Sequence, residues 1–339
     1  MIALQMTKSR PLFVAISDVH FNLNTLYTAS RALITAAQHA ERLGVPLVIA
    51  GDLNDTKAII RAEVANQLIS ILKYSACKKF ILVGNHDLVN EKGQEHSLNF
   101  LAPYATIVDD PRVFPELPEV FFIPYQSDTD KLCRILNMPR TEKVYVMHQG
   151  FQGANMGDYA VDKTSISVDQ VRHVKVFSGH YHRHQNIGTV TYIGNPFTVS
   201  FGESNDGNKG FLVVYADGSY EQIPLKLRKH VKIEMEIKDN SFLLPVNNIT
   251  EEDFVWVKLT GPKSVLDSIT KKDISNYFGH ENFKLDKIAL GSDEHKISKA
   301  KMREEEVLDA IINSTPEGEI VKTYLKNLWR EVMYENSQI

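Results

Sequence analysis

The sequence predicts a layered α/β fold in which two packed sheets carry helices on their outer faces, giving four layers in the order α/β/β/α. A smaller α+β region and a helical C-terminal segment follow. Two observations predict this. Between Leu12 and Val199 six short apolar runs, LFVAIS, LVIAG, FILVG, VYVM, VKVFSG and VTYIG, alternate with helical patterns, as they do where crossover helices cover a sheet. Then GFLVVYADGSYEQIPL alternates apolar and polar residues around Asp217-Gly218, a hairpin signal that predicts an antiparallel-rich second sheet.

The helices follow from periodicity. Thr25 to Leu43 places Leu26, Ala29, Leu33, Ala36, Ala37, Ala40 and Leu43 on one stripe, and Gly44 ends it because glycine takes the left-handed conformation that closes a helix. Ile60, Val64, Leu68, Ile71 and Leu72 repeat the pattern before the third apolar run. Past residue 225, KLRKHVKIEMEIKD and FVWVKLTG read as strands and PKSVLDSITKKD as a helix. The expected organisation is therefore 1–225 for the layered domain, 226–296 for the smaller one and 297–339 for the helical segment. In that last segment Ser314 or Thr315 caps a helix with Pro316 in its first turn. Tyr324, Leu325, Leu328, Trp329 and Val332 fall on its wide apolar face, which either packs on its own domain or docks on a partner.

Composition narrows the function classes. The 339 residues are 43% hydrophobic with a net charge of −4, enough for a sizeable core. They carry no overall basic signature of a nucleic-acid protein. Cys77 and Cys133 have no CxxC spacing, as in a reduced cytoplasmic protein. No leader pattern opens the chain and no run of about 18 apolar residues interrupts it, so membrane spanning is not expected.

The chemistry lies where the apolar runs stop. LFVAIS is followed by Asp18 and His20, LVIAG by Asp52, FILVG by Asn85, His86 and Asp87, VYVM by His148, and VKVFSG by His180 and His182. Carboxyl ends of strands in α/β sheets converge on one crevice, so these residues should meet. Oxygen and imidazole donors without thiolate suit ions such as Mn²⁺, Fe²⁺ or Zn²⁺. The donors are too many for one ion. Two ions roughly 3.5–4 Å apart, bridged by a carboxylate, clamp a phosphoryl group and lower the pKa of a water, which points to phosphoester hydrolysis.

In their order, SDVH, GDLND, GNHD, MHQG and GHYH resemble the motifs of the calcineurin-like metallophosphoesterase superfamily, and YIGNPFTVSFGES (192–204) resembles a segment of its SbcD-type DNA repair and recombination nucleases, in a short, bacteriophage-like version. The resemblance implies that Asp18, His20, Asp52 and His182 hold one divalent ion and Asp52, Asn85, His148 and His180 another, with manganese foremost. It implies that His86 stabilises the transition state and helps protonate the leaving oxygen, and that Asp87 orients neighbouring groups. It further implies double-stranded DNA and DNA ends as substrate, an SMC-like ABC ATPase of SbcC type as partner, and a homodimer. Asp55 departs from the pattern, since family members commonly carry a histidine there, and an ionised aspartate cannot donate to a phosphate.

Lys226, Arg228, Lys229 and Lys232 form a compact basic cluster that could contact DNA phosphates. Residues 224–300 hold 13 Lys and Arg against 12 Asp and Glu, so DNA binding rests on the resemblance rather than on charge. Two other readings stay open: a small-molecule phosphatase or cyclic-nucleotide phosphodiesterase of the same superfamily, and a non-catalytic assembly scaffold.

Overall fold

A computed structural model describes residues 9–90, 95–157, 160–238 and 249–290. Strand β1 (Pro11–Ile16) leads to helix α1 (Leu26–Leu43), β2 (Leu47–Ile49), α2 (Ala62–Tyr74), β3 (Lys79–Leu82) and β4 (Thr106–Val108). Then come β5 (Arg112–Phe114), β6 (Leu117–Ile123), α3 (Thr129–Leu136), β7 (Val144–His148), β8 (Lys175–Gly179), β9 (Gln185–Ile187) and β10 (Val190–Tyr192). A hairpin of β11 (Gly210–Tyr215) and β12 (Tyr220–Pro224) follows.

Two six-stranded sheets result, ordered β12-β11-β1-β2-β3-β4 and β5-β6-β7-β8-β10-β9. Strand alternation explains the layers, because successive side chains enter different cores. Val14 and Ile16 of β1 pack with α1 and α2 residues such as Leu33, Ala36 and Leu68. Their neighbours Phe13 and Ala15 face inward, where they meet Val144, Val146 and Phe177 of the second sheet. On that sheet Tyr145 and Met147 point outward to Leu132, Ile135 and Leu136 of α3. Burial on both faces is why the strands read as unbroken apolar runs. The four-layer α/β/β/α expectation is met.

The hairpin is a correction. Asp217-Gly218 does turn β11 into β12, with Gly218 at φ 78°, but the pair does not found the second sheet. Instead β11 lies antiparallel to β1, Val14 opposite Val213, and extends the first sheet. Alternation signals a hairpin, but which edge accepts it depends on the unpaired backbone that β1 offers.

Gly44, at φ 65°, caps α1 as its sequence predicts. The later region folds as β13 (His230–Glu236), β14 (Phe254–Gly261), α4 (Lys263–Ser268), α5 (Lys271–Phe278) and β15 (Phe283–Ala289). The single helix expected there is two, separated at Ile269 and Thr270, where Thr270 opens α5 with a capping box to Asp273. The three strands form a separate sheet, with β13 and β14 parallel.

Up to Ile288 this small sheet belongs to the same compact unit as the two large sheets. It is tied to the large sheets by Thr198, whose Oγ1 accepts the His230 N–H at 2.8 Å, and by an Arg31–Glu252 ion pair. The helix expected to carry Tyr324, Leu325, Leu328, Trp329 and Val332 lies outside the described residues. No helix among the described residues is long and apolar enough to cross a membrane.

Candidate metal centre

Of five non-glycine residues with positive φ among the described residues, four are expected ion ligands: Asp18 (51°), His20 (49°), Asp52 (50°) and His180 (94°). Left-handed backbone at such residues is held only where surroundings over-determine it, and it concentrates at functional sites. The surroundings here are the crossing loops. Asp18 N–H donates to the Gly51 carbonyl (3.1 Å) and His20 N–H to that of Asp52 (3.1 Å). The Asp52 Oδ1 in turn accepts from His86 N–H (2.8 Å), and the Asp18 carboxylate from His180 N–H (3.1 Å).

All seven expected ligands come together. One donor atom each from Asp18, His20 and His182 lie within 4.8 Å of one another, as do those of Asp18, Asp52 and His148. His20 Nε2 and His182 Nε2 are 3.1 Å apart. Asn85 Oδ1 is 3.0 Å from His148 Nε2 and 2.9 Å from His180 Nδ1, and Asp52 Oδ2 is 3.3 Å from that same His148 nitrogen. Asp52 thus lies close to Asp18 of the first expected set and to His148 of the second, and would be the carboxylate to hold an ion with either.

Electrostatics test the fit. Asp18 and Asp52 are buried, and among the described residues neither pairs with Lys or Arg in the ion pairs seen. Burial disfavours a charged His148, yet Asp52 and then Asp18 raise its pKa to about 9. Burial likewise opposes charge on His20, but Asp55, Asp18 and Asp52 hold its pKa above the ordinary value. Asp52 is the converse: burial would raise its pKa, and the His148 charge and hydrogen bond carry it well below the usual carboxylate range. His180, pushed to about 4 by burial and then by the His148 charge, is neutral at neutral pH. A buried field that draws protons onto imidazoles is one that divalent cations would satisfy. The donor set fits divalent ions, which when bound would supply Lewis-acid stabilisation of a phosphoryl group and a lowered water pKa.

Oxygens on the far side of the imidazoles aim them. The Ala50 carbonyl accepts from His148 Nδ1 (2.7 Å), and Glu203 Oε1 from His182 Nδ1 (2.7 Å). His20 Nδ1 is fully enclosed, with Asp55 Oδ1 at 3.3 Å, an ion-pair distance rather than a well-formed hydrogen bond. Tyr125 stacks on His180 with ring centres 6.0 Å apart.

Gly84 has no positive φ. Its role is space: a Cβ there would run into the Asp52 backbone nitrogen and carboxylate. Asp87, completely buried, accepts from Asn54 N–H (3.1 Å) and Gly84 N–H (2.9 Å), fastening the Asp52 and Asn85 loops together. Burial and then the Asp52 charge push its pKa up to about 7.

His86 lines a cleft of about 590 Å³ with Asp52, Asn85, His180 and His182. Its Nδ1–H donates to the Asp55 carbonyl (2.9 Å), which leaves Nε2 as the nitrogen that can act on a substrate.

Lys226, Arg228 and Lys229 precede β13, and Lys232 lies on it. Arg228 donates to the Asn24 carbonyl (2.9 Å) and stacks on Phe254. Lys232 reaches Glu234 (2.7 Å) and lies over Trp256. Lys229, with Arg228, borders a separate cavity of about 220 Å³, and Lys226 is exposed. Sequence reasoning missed Glu203, Asn195 and Lys209. Glu203 Oε2 accepts from Asn195 Nδ2 (3.0 Å) and Val199 N–H (3.2 Å) and pairs with Lys209 (3.2 Å). Burial opposes its ionisation, but His182 and Lys209 bring its pKa down to about 2. The signal available was the Glu in FGES, close behind GHYH.

The calcineurin-like phosphoesterase family profile matches residues 11–186, just over half of the chain, and that stretch holds all seven donors and His86. The chain belongs to the calcineurin-like phosphoesterase family. This phosphoesterase is 26% identical over 232 residues to protein 244L of Invertebrate iridescent virus 6, named a phosphoesterase, across 64% of this chain and 81% of the viral one. It is 27% identical over 226 residues to the DNA double-strand break repair protein Mre11 of Methanocaldococcus jannaschii, across 59% of this chain and 60% of the archaeal one. Among solved structures, the Pseudomonas putida nuclease MPE matches with 15% identity and a TM-score of 0.28, over 53% of this chain and 66% of that one.

Proposed function

We propose that this phosphoesterase is a DNA exo/endonuclease subunit of a repair or recombination complex of SbcCD type, hydrolysing phosphodiesters with two divalent ions, manganese foremost. The observation that carries the reading is the convergence of Asp18, His20, Asp52, Asn85, His148, His180 and His182 beside a cleft that His86 also lines. His86, held through Nδ1 by a main-chain oxygen, presents Nε2 to donate to the developing charge and the leaving oxygen, the work of a general acid near neutral pH. DNA as substrate draws support from the similarity to a protein named for double-strand break repair. The small sheet adds to it: Trp256, with Lys232 and Lys284 over its ring, packs on Phe201 beside the cleft residues Ser200 and Gly202, and aromatic and cationic groups together suit nucleic acid.

The partner proposals are an SMC-like ABC ATPase and a second copy of the chain, with a cytoplasmic location. A phosphoesterase acting on small molecules is the second reading, favoured by the fact that the viral relative is named a phosphoesterase without DNA. Mn²⁺-dependent digestion of linear duplex DNA, set against a small phosphodiester, decides between them. Cutting of the duplex, faster when the ATPase is added, is expected; turnover of the small ester with intact DNA would favour the second reading.

A further inference from the structure

The two donor sets differ in what stands behind them. In the first, Asp18 is itself a carboxylate donor, and both histidines have a carboxylate at the far nitrogen: Asp55 at 3.3 Å from His20 and Glu203 at 2.7 Å from His182. In the second, Asn85 is neutral, His148 is backed by the Ala50 carbonyl, and His180 is packed by Tyr125 and Tyr181. Asp52 is common to both. Lys209 offsets part of the Glu203 charge, but it also pairs with Asp206 (2.8 Å), so that group keeps a net negative charge. Asp55 is fixed by Asn22, whose Nδ2 donates to it at 2.9 Å.

We propose that the Asp18, His20 and His182 set is the tighter of the two ion sites, and that Asp55 and Glu203 are the positioning residues that make it so. A carboxylate behind an imidazole fixes its tautomer, raises its basicity and adds charge toward the cation. Asp55, which cannot donate to a phosphate when ionised, thereby gains a task that needs no such donation. Its side chain is 40% exposed against 13% for Glu203, so water screens it more and its effect is the smaller. The inference rests on the ion-centre reading, not on DNA as substrate.

The test titrates Mn²⁺ into the metal-free protein, with free Mn²⁺ followed by electron paramagnetic resonance. Two binding classes are expected. Glu203→Ala loosens the first about 100-fold and Asp55→Ala about 10-fold, with the second class moving less than about threefold. In the metal-free protein, imidazole ¹⁵N shifts should place the His182 proton on Nδ1; Glu203→Ala releases that preference and Glu203→Gln, which keeps an acceptor, retains it. Because Glu203→Ala could unfold the loop it anchors, a wild-type crystal given one equivalent of Mn²⁺ supplies an independent reading. The anomalous peak belongs beside Asp18, His20 and His182. A peak beside Asn85, His148 and His180, or variants that weaken both classes equally, would overturn the inference. Failure of the wild type to take up any Mn²⁺ would overturn the ion centre itself.

Discussion

The two halves of the centre each contribute two imidazoles, but these are held by different means. His20 and His182 are aimed by carboxylates that arrive from distant loops, whereas His148 ends a buried strand and leans on a main-chain carbonyl of the neighbouring sheet. The first half is set by side-chain charge and can be altered without touching the core. The second is set by packing and backbone, so it can be altered only with the fold. Asp52 is where the two meet.

The largest expected effect breaks both halves at once. Asp52→Asn, nearly isosteric, should lower phosphodiester turnover on the order of 10³-fold and leave neither Mn²⁺ class at wild-type affinity, as titration would show. His86→Ala spares both halves and removes the general acid. It should cost on the order of 10²-fold in turnover with Mn²⁺ binding unchanged, and full-rate cleavage would remove the role assigned to that histidine.

Asp87→Ala acts between the halves, leaving the buried amides of Asn54 and Gly84 without their acceptor. A stability loss of about 1–3 kcal/mol in denaturant unfolding is expected. The smallest effect belongs to the first half and appears in acid. Glu203 has a folded pKa of about 2 against an ordinary 4.5, so its contribution to stability is full above about pH 4.5 and is lost as pH falls toward 2. Acid unfolding of Glu203→Gln should be flatter over that window, and an identical profile would show that the carboxylate is not held as described.

The contrast also explains what the sequence could disclose. The seven donors were legible because each follows an apolar run and strand ends converge; the layers were legible because alternation assigns Phe13 and Val14 to different cores. The groups behind the donors were not. Asp55 meets His20 from 35 residues away and Glu203 meets His182 from 21 residues away, and beyond the Glu of FGES close behind GHYH no local pattern marks such a pairing. The hairpin of β11 and β12 was recognisable as a hairpin, but its place beside β1 is a property of the sheet edge. The contacts of the basic residues from Lys226 to Lys232 were not legible either, since Arg228 turns back to the Asn24 carbonyl, 204 residues away.

The most direct test is anomalous diffraction at the manganese edge from a crystal saturated with Mn²⁺. Two peaks roughly 3.5–4 Å apart, with the Asp52 carboxylate bonded to both, are the expected result. A single peak, or two peaks that do not share Asp52, would contradict the account.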